Sequence, residues 1–529
     1  MIFCSTKNDT EVFITGESSE SDFYVYDTPA KTEISFDTCF DASDIQYWMN
    51  FGIFTHGLII SIPKNNELTL TGKTEIDTYH IVKNGCQHIQ KGVLISPSLN
   101  GLNSSLFENE VLYNSTLVQN NTMNFTVNML SGNETVELFY SGNSTFNIYP
   151  NYNYINLSDD NPYYLALLSE IPVNNGTIVC GLPDDVDIHV TDGTYDSLCL
   201  YDSMDLENNV EFPTSFSSIS SKSGCFHLYR ASNNTPPITA LIRSISIQSK
   251  DCENTNNVFQ STEAPKDLSA TSKGNGSCEV IILASKYTPF TTISINTIGE
   301  IQSDSLILKS TINSKQIVEI PAQDAKYWMN FGIHSYALTA IIPQDSTVSI
   351  NTNVQRNGYN IQKGACQYIQ KGVIVSPGYT GMKYSDFVEV LYKSEFFQST
   401  NMEFNAIEVS EKDEVTIRYD QTFIQFWQSN GTFSINAQKN FSVQVFKNSN
   451  VTTSDFLIEY TLTSNINLNS NNIDLNENET YYLGLLDDIP INNSIVVCAG
   501  AQNTELFITN GKYDSFCLYD SPALENNIQ

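Results

Sequence analysis

The feature that most constrains this chain is a long internal duplication, because a repeated sequence must fold as repeated structure. Residues 47–53 read YWMNFGI, and residues 327–333 read YWMNFGI again, 280 positions later. At the same offset CQHIQKGVLISP (86–97) returns as CQYIQKGVIVSP (366–377). Farther on, IPVNNGTIVC ending at Cys180 pairs with IPINNSIVVC ending at Cys498, and TYDSLCLYDS (194–203) pairs with KYDSFCLYDS (512–521), now at an offset of 318. The second copy has therefore gained 38 residues between Pro377 and Pro490. A shorter similarity lies inside the long one: TEVFITGESSESDFYVYDT (10–28) resembles TELFITNGKYDSFCLYDS (504–521). The chain opens on the kind of segment with which it closes.

These matches divide the chain into A-type modules at 1–86, 179–252 and 278–366, with a fourth begun at 497–529. B-type segments at 87–178 and 367–496 separate them. The stretch 253–277, ENTNNVFQSTEAPKDLSATSKGNGS, lacks periodic hydrophobicity and reads as a linker. On this reading the sequence is a cut through a longer tandem array.

Short runs rich in Val, Ile, Phe, Tyr and Thr recur throughout, among them TEVFIT (10–15), TISIN (292–296), SLILKS (305–310) and FSVQVF (441–446), broken by Asn, Gly, Asp and Pro. Alternation in several of them predicts one apolar and one wet face. The spacing predicts an all-β fold of tandem antiparallel β-sandwich modules. Short helices are expected only around 105–113 (SLFENEVLY) and 385–392 (SDFVEVLY).

Eleven cysteines with no metal-ligand spacing point to an oxidising compartment. Each complete A module begins and ends on a cysteine, which predicts bridges Cys4–Cys86, Cys180–Cys252 and Cys278–Cys366. The middle module's extra pair predicts Cys199–Cys225, Cys39 is left single, and Cys498 pairs with Cys517 for want of module partners.

Composition narrows the function classes. With 59 acidic against 26 basic side chains the net charge is −33, so a phosphate-binding, nucleic-acid role is excluded. No run of eighteen apolar residues predicts a membrane span, and the residues ahead of Cys4 leave no room for a secretory signal. An extracellular mature product or fragment is expected, and sixteen N-glycosylation sequons agree with it. They stand at Asn8, Asn103, Asn114, Asn120, Asn124, Asn133, Asn143, Asn156, Asn175, Asn233, Asn275, Asn430, Asn440, Asn450, Asn478 and Asn492.

The runs KYDSFCLYDS (512–521), TYDSLCLYDS (194–203) and QSDSLILKS (302–310) are similar to the segment of CUB domains in which an acidic turn leads into a strand. NFSVQVFKNSNVTTSDFLIEYTL (440–462) resembles a CUB C-terminal hairpin. The chain thus resembles the CUB-like modules of nematode secreted proteins. The resemblance implies β-sandwich modules that bind protein or glycan outside the cell. Its calcium position falls on Asp196, Asp304 and Asp514, although the preceding strand lacks the family's Glu and the first module carries Ser21 there.

No GxSxG, HExxH, Walker-type loop or helix-opening GxGxxG is present, so no catalytic residue and no cofactor are assigned. The repeat replaces His56 by Tyr336, His88 by Tyr368 and His334 by Phe54. Tyr47–Trp48 and Tyr327–Trp328 read as core packing rather than a sugar platform, Gly92 and Gly372 as tight turns after Lys91 and Lys371, and LPDDVDIHVTDG (182–193) as a solvated acidic edge. The expected function is a secreted or cell-surface adhesion or binding protein for a protein or glycan, in host defence. The alternatives are a self-assembling filament or coat protein, associating through its repeats, and an extracellular glycoside hydrolase on a β scaffold.

Overall fold

In a computed structural model the chain is all β, built from many small sheets. The structure describes most residues between 153 and 464 with their side chains, the strand backbones and a few side chains of 2–144, and parts of 469–528. Among the described residues helix is limited to short 3-10 segments, Leu168–Glu170, Ala322–Tyr327 and Leu486–Asp488, with a further 3-10 residue at Tyr47.

Residues 153–244 show the unit clearly. Nine strands form two sheets; counted by position in the unit, one runs first–third–eighth–fifth–sixth and the other second–ninth–fourth–seventh. Residues 258–355 and 359–464 repeat both orders strand for strand. We call these units 3, 4 and 5. In each the first strand lies parallel to the third, and the other described pairs are antiparallel, as with Asn153–Leu157 on Asn175–Gly181 and Thr239–Ser244 between Tyr163–Leu167 and Val186–Val190. The sequence alternation does its expected work where a face meets water. Thr347–Gln355, TVSINTNVQ, buries every second residue, and Ser305–Ser310 does the same.

The inner faces of the two sheets in unit 3 share one core, with Leu157, Val179, Leu200 and Phe226 from one sheet and Ala166, Ile188, Val190 and Ile242 from the other. Burying each such aliphatic or aromatic side chain contributes about 1.5–3 kcal/mol. Between units 4 and 5 the core does not break: one apolar cluster runs from Leu268 to Leu462. The expectation of separate sandwich modules is therefore met at the level of an all-β, multi-sheet repeat. The chain continues from unit to unit as an array, closer to a solenoid than to beads on a string.

Unit 1 (2–75) carries the third to ninth strands of the pattern, in the orders third–eighth–fifth–sixth and ninth–fourth–seventh. Unit 2 (79–144) carries the first to fourth and the ninth. There the fourth strand, Asn121–Leu130, pairs antiparallel with the ninth, Val136–Ser144, which follows it five residues later in the chain. Unit 5 instead places four strands, from Val415–Tyr419 to Phe441–Lys447, between Val409 and Phe456. The extra length of the second copy is those four strands, so A and B segments are the same unit, whole or shortened.

Several expectations need correction. The stretch 253–277 is not a linker, since it holds Val258–Ser261 and Lys266–Thr271, the first two strands of unit 4. The boundaries at 178/179 and 366/367 fall inside units 3 and 5, because unit 3 starts two strands before Cys180 and unit 5 starts one strand before Cys366. The expected helices at 105–113 and 385–392 meet the strands Val111–Ser115 and Phe387–Ser394, where β-branched residues pair in parallel with Tyr79–Lys83 and Tyr359–Lys363. Phe441–Lys447 and Phe456–Ser464 do not pair as a hairpin; they lie in different sheets. Gly92 and Gly372 are not turns but mid-strand residues facing Tyr140 and Tyr460.

Candidate functional site

What the duplicated residues build is a set of joints between units. The first is a clasp made twice. Cys86, between the first two strands of unit 2, is disulfide-bonded to Cys199 on the fifth strand of unit 3, with the Cα atoms 5.2 Å apart. Tyr201, two residues on and fully buried, donates its hydroxyl to the Cys86 carbonyl at 2.8 Å. In the second copy Cys366 is bonded to Cys517, and the Tyr519 hydroxyl donates to the Cys366 carbonyl at 2.7 Å. Alternation along CLY places Cys and Tyr on the same side of their strand, so one short motif supplies both halves of the clasp.

The other bridges are Cys180–Cys225 and Cys252–Cys278. These four bridges replace the expected Cys4–Cys86, Cys180–Cys252, Cys278–Cys366, Cys199–Cys225 and Cys498–Cys517. The reason is register: Cys180 and Cys225 sit directly opposite each other on antiparallel strands, and the CLY cysteines reach into the preceding unit. Cys498 is exposed and unbridged among the described residues, and the side chains of Cys4 and Cys39 lie outside them.

The second joint lies between units 3 and 4. Thr239, Leu241 and Arg243 on the ninth strand, with Tyr163 and Leu165 on the second, face away from the unit 3 core and meet Val258, Ile281, Leu283 and Ala337 of unit 4. The Thr239 hydroxyl donates to the Ala284 carbonyl at 2.9 Å, and Tyr163 donates to Glu279 at 3.3 Å.

Within this joint Asp187 accepts from Arg243 through Nε on Oδ1 at 2.9 Å and Nη2 on Oδ2 at 3.0 Å, while His189 Nε2 lies 3.1 Å from the same Oδ2. All three side chains are buried. Burial alone would raise the Asp187 carboxyl, but the hydrogen bonds from His189 and Arg243 outweigh it and hold it below the usual range. Tyr163 is pushed up, first by burial and then by the Glu279 carboxylate. The acidic edge expected over 182–193 is thus, at Asp187, the centre of a buried ion pair. Low-complexity sequence gave no sign of this, because Arg243 lies 56 residues away.

A third buried polar group sits near the joint of units 4 and 5. His334 Nδ1 lies 2.9 Å from Thr292 Oγ1, and burial lowers its pKa to about 4. Lys363 is buried, its ammonium donating to the Gln367 carbonyl, and burial lowers its pKa to about 8. Lys371 pairs with Asp324 at 2.6 Å, and Lys315 with Asp455 at 3.1 Å, across the same pair of units.

Of the predicted site residues, Asp304 lies in an exposed turn with positive φ, and its carbonyl accepts from Ala322. Asp196 and Asp514 lie outside the described residues. No cluster of three metal-ligating side chains occurs among the described residues. Trp328 is buried against Phe331 and Tyr327 is half-buried, in keeping with core packing. Sequons Asn124 and Asn156 are exposed on strands and Asn175 is half-buried. Asn8, Asn103, Asn114, Asn120, Asn133, Asn143, Asn233, Asn275, Asn430, Asn440, Asn450, Asn478 and Asn492 have side chains outside the described residues.

Chemically, the Asp187–His189 pair resembles an acid–base couple, yet His189 is completely buried and its Nδ1 meets no hydrogen-bond partner among the described residues. Among the described residues, the one hydrogen-bond partner of the His189 ring is Asp187. No helix among the described residues is long and apolar enough to cross a membrane.

No protein-family model matches the chain, and no curated protein does. Among solved structures it is similar to a Cry1Da tryptic core variant of Bacillus thuringiensis at 11% identity and TM-score 0.16, covering 53% of this chain and 51% of that one. An uncharacterized protein of Listeria monocytogenes matches at 12% identity and TM-score 0.15, over 53% of this chain and 29% of that one. The triple jelly roll of an archaeal virus turret assembly matches at 10% identity and TM-score 0.10, over 66% and 89%. The chain spans about half of the toxin core and under a third of the Listeria protein. TM-scores this low assign neither fold family nor function.

Proposed function

We propose that this chain is a secreted or cell-surface glycoprotein of tandem CUB-like sandwich units that binds a protein or glycan partner in adhesion or host defence. The observation that carries the reading is the clasp made twice, Cys86–Cys199 with Tyr201 and Cys366–Cys517 with Tyr519. Disulfides that fix one unit on the next persist only where thiols are oxidised, outside the cytosol. Exposed sequons at Asn124 and Asn156 suit the same compartment. The sandwich assignment is supported by strand order. With the first strand set aside, the remaining eight run first–eighth–third–sixth and second–seventh–fourth–fifth, the double Greek key of a jelly roll. A parallel β-solenoid would stack parallel strands rung upon rung, whereas among the described strands of units 3, 4 and 5 one pair in each is parallel and the rest are antiparallel.

The test has two parts. Expression through a secretory pathway should yield a protein whose mass falls on treatment with peptide-N-glycosidase. The biotinylated product should retain a partner on a glycan array or from native extracts, and a glycan-free product that binds nothing would contradict the reading.

A second reading, self-assembly, is favoured by one observation: Leu483, Leu485 and Phe507 of the last unit are 82%, 62% and 88% exposed. It predicts concentration-dependent oligomers in light scattering, and a monomer at high concentration would remove it.

A further inference from the structure

The first strand of unit 3, Asn153–Leu157, lies at the edge of its sheet and pairs, among the described residues, with the parallel third strand, Asn175–Gly181. Its two faces meet different surroundings. Ile155 and Leu157 turn to the unit 3 core, where Val179, the register partner of Ile155, joins them. Alternation then puts Tyr154 and Asn156 together on the opposite face, in register with Ile178 and Cys180. Ile178 and Cys180 are buried, whereas Asn156 is exposed and Tyr154 is 45% exposed.

Asn156 opens the sequon Asn156–Leu157–Ser158. Residues two apart on a strand stand about 7 Å from each other on one face, so the Tyr154 ring lies beside the point where a glycan leaves the chain. The other sequons with described side chains lack such a neighbour. Two residues before Asn124 stands Thr122, and two before Asn175 stands Val173. Phe125 alternates to the face opposite Asn124, against Tyr140. Across the ladder Asn124 meets Ser141 and half-buried Asn175 meets Arg230.

The first sugar of an N-linked glycan has a face that suits a phenol ring. In β-linked N-acetylglucosamine the axial C–H bonds at C1, C3 and C5 all point to one side, and that side is apolar. An aromatic ring holds it by dispersion and by the attraction of polarised C–H bonds to its negative π face.

We propose that Asn156 carries an N-linked glycan whose first N-acetylglucosamine stacks on the Tyr154 ring and pins the edge strand of unit 3. The co-reactant is a lipid-pyrophosphate-linked oligosaccharide. The Asn156 Nδ2 forms a C–N bond to the anomeric carbon, the C–O bond to the pyrophosphate breaks, the lipid pyrophosphate leaves with the electron pair, and one amide proton passes to a base. The inference rests on the secreted-glycoprotein reading and adds to it one chosen sequon and the side chain that receives its sugar. Stacking holds Asn153–Leu157 on the third strand, whose Cys180 carries the bridge to Cys225.

The full chain is expressed through a secretory pathway as wild type, Asn156→Gln, Tyr154→Ala, Tyr154→Phe and each Tyr154 variant combined with Asn156→Gln. Glycopeptide mass spectrometry should find the glycan on Asn156. Amide hydrogen exchange over 153–157 should quicken about threefold to tenfold on Asn156→Gln when Tyr154 is present. Endoglycosidase trimming to the single linked N-acetylglucosamine should leave exchange unchanged, since the contact is with the first sugar. In the Tyr154→Ala background Asn156→Gln should have no effect, and in the Tyr154→Phe background it should have its full effect. A bare Asn156 on a chain glycosylated elsewhere would overturn this inference and leave the secreted reading standing, whereas a chain bare at every sequon would overturn both. An Asn156 glycan that slows exchange equally in the Tyr154→Ala background would also overturn it.

Discussion

Tyr201 donates its hydroxyl to the carbonyl of Cys86 at 2.8 Å, tying the fifth strand of one unit to the loop of the unit before it beside the Cys86–Cys199 bridge. Replacing Tyr201 by Phe leaves a buried carbonyl without its donor and should cost about 1 kcal/mol. Removing the bridge as Cys86→Ser with Cys199→Ser should cost about 2–4 kcal/mol, since it releases a long loop in the unfolded chain. Urea midpoints of the three proteins check both. Equal midpoints for wild type and the double serine variant would contradict the clasp.

Gly372 faces Tyr460 across the sheet, and Gly92 faces Tyr140 in the first copy. A Cβ on Gly372 would lie 2.3 Å from the Tyr460 hydroxyl oxygen and 2.7 Å from the Phe331 Cβ, in a site with no exposure. Gly372→Ala should therefore destabilise by about 1–3 kcal/mol through overpacking. Tyr460→Phe should be close to neutral, because the hydroxyl has no hydrogen-bond partner among the described residues. Thermal melts of the pair separate these outcomes.

His334 gives a pH signature. Its folded pKa, about 4, lies below the ordinary value near 6.5, so the unfolded chain takes up the proton first. The stability this residue contributes is complete above about pH 6.5 and is lost as pH falls toward about 4, by roughly 3 kcal/mol at most. His334→Phe, the residue the first copy carries as Phe54, should flatten the fall in urea midpoint between pH 7 and 4.5 relative to wild type. Parallel slopes would show that His334 is not buried neutral.

The Asp187–Arg243 pair predicts an asymmetry. Asp187→Asn leaves the buried guanidinium without its counter-charge and should cost about 3–5 kcal/mol, whereas Asp187→Leu with Arg243→Met should be far milder than either single change. Asp187 has its pKa depressed, so its contribution is present above the ordinary carboxylate range and fades as pH falls through the lowered folded value. A double-mutant cycle in denaturant measures the coupling.

The duplication, the β class and the place of Trp328 in the core were legible because they depend on local pattern and self-similarity. The identity of A and B segments was not, since in unit 2 only five residues separate Leu130 from Val136 where unit 5 runs through four further strands. Disulfide partners were hidden for the same reason: Cys86 meets Cys199 through strand order, not through module edges. Gly372 read as a turn because its strand neighbour, Tyr460, is remote in sequence.

Oxidised clasps between units hold this repeat array together. Mass-spectrometric mapping of a non-reduced digest of the native protein reads those bonds one by one. Linked peptides Cys86–Cys199, Cys180–Cys225, Cys252–Cys278 and Cys366–Cys517 are expected, with Cys498 alkylated as a free thiol. Fully reduced cysteines, or Cys86 and Cys366 bridged within their own units, would contradict it.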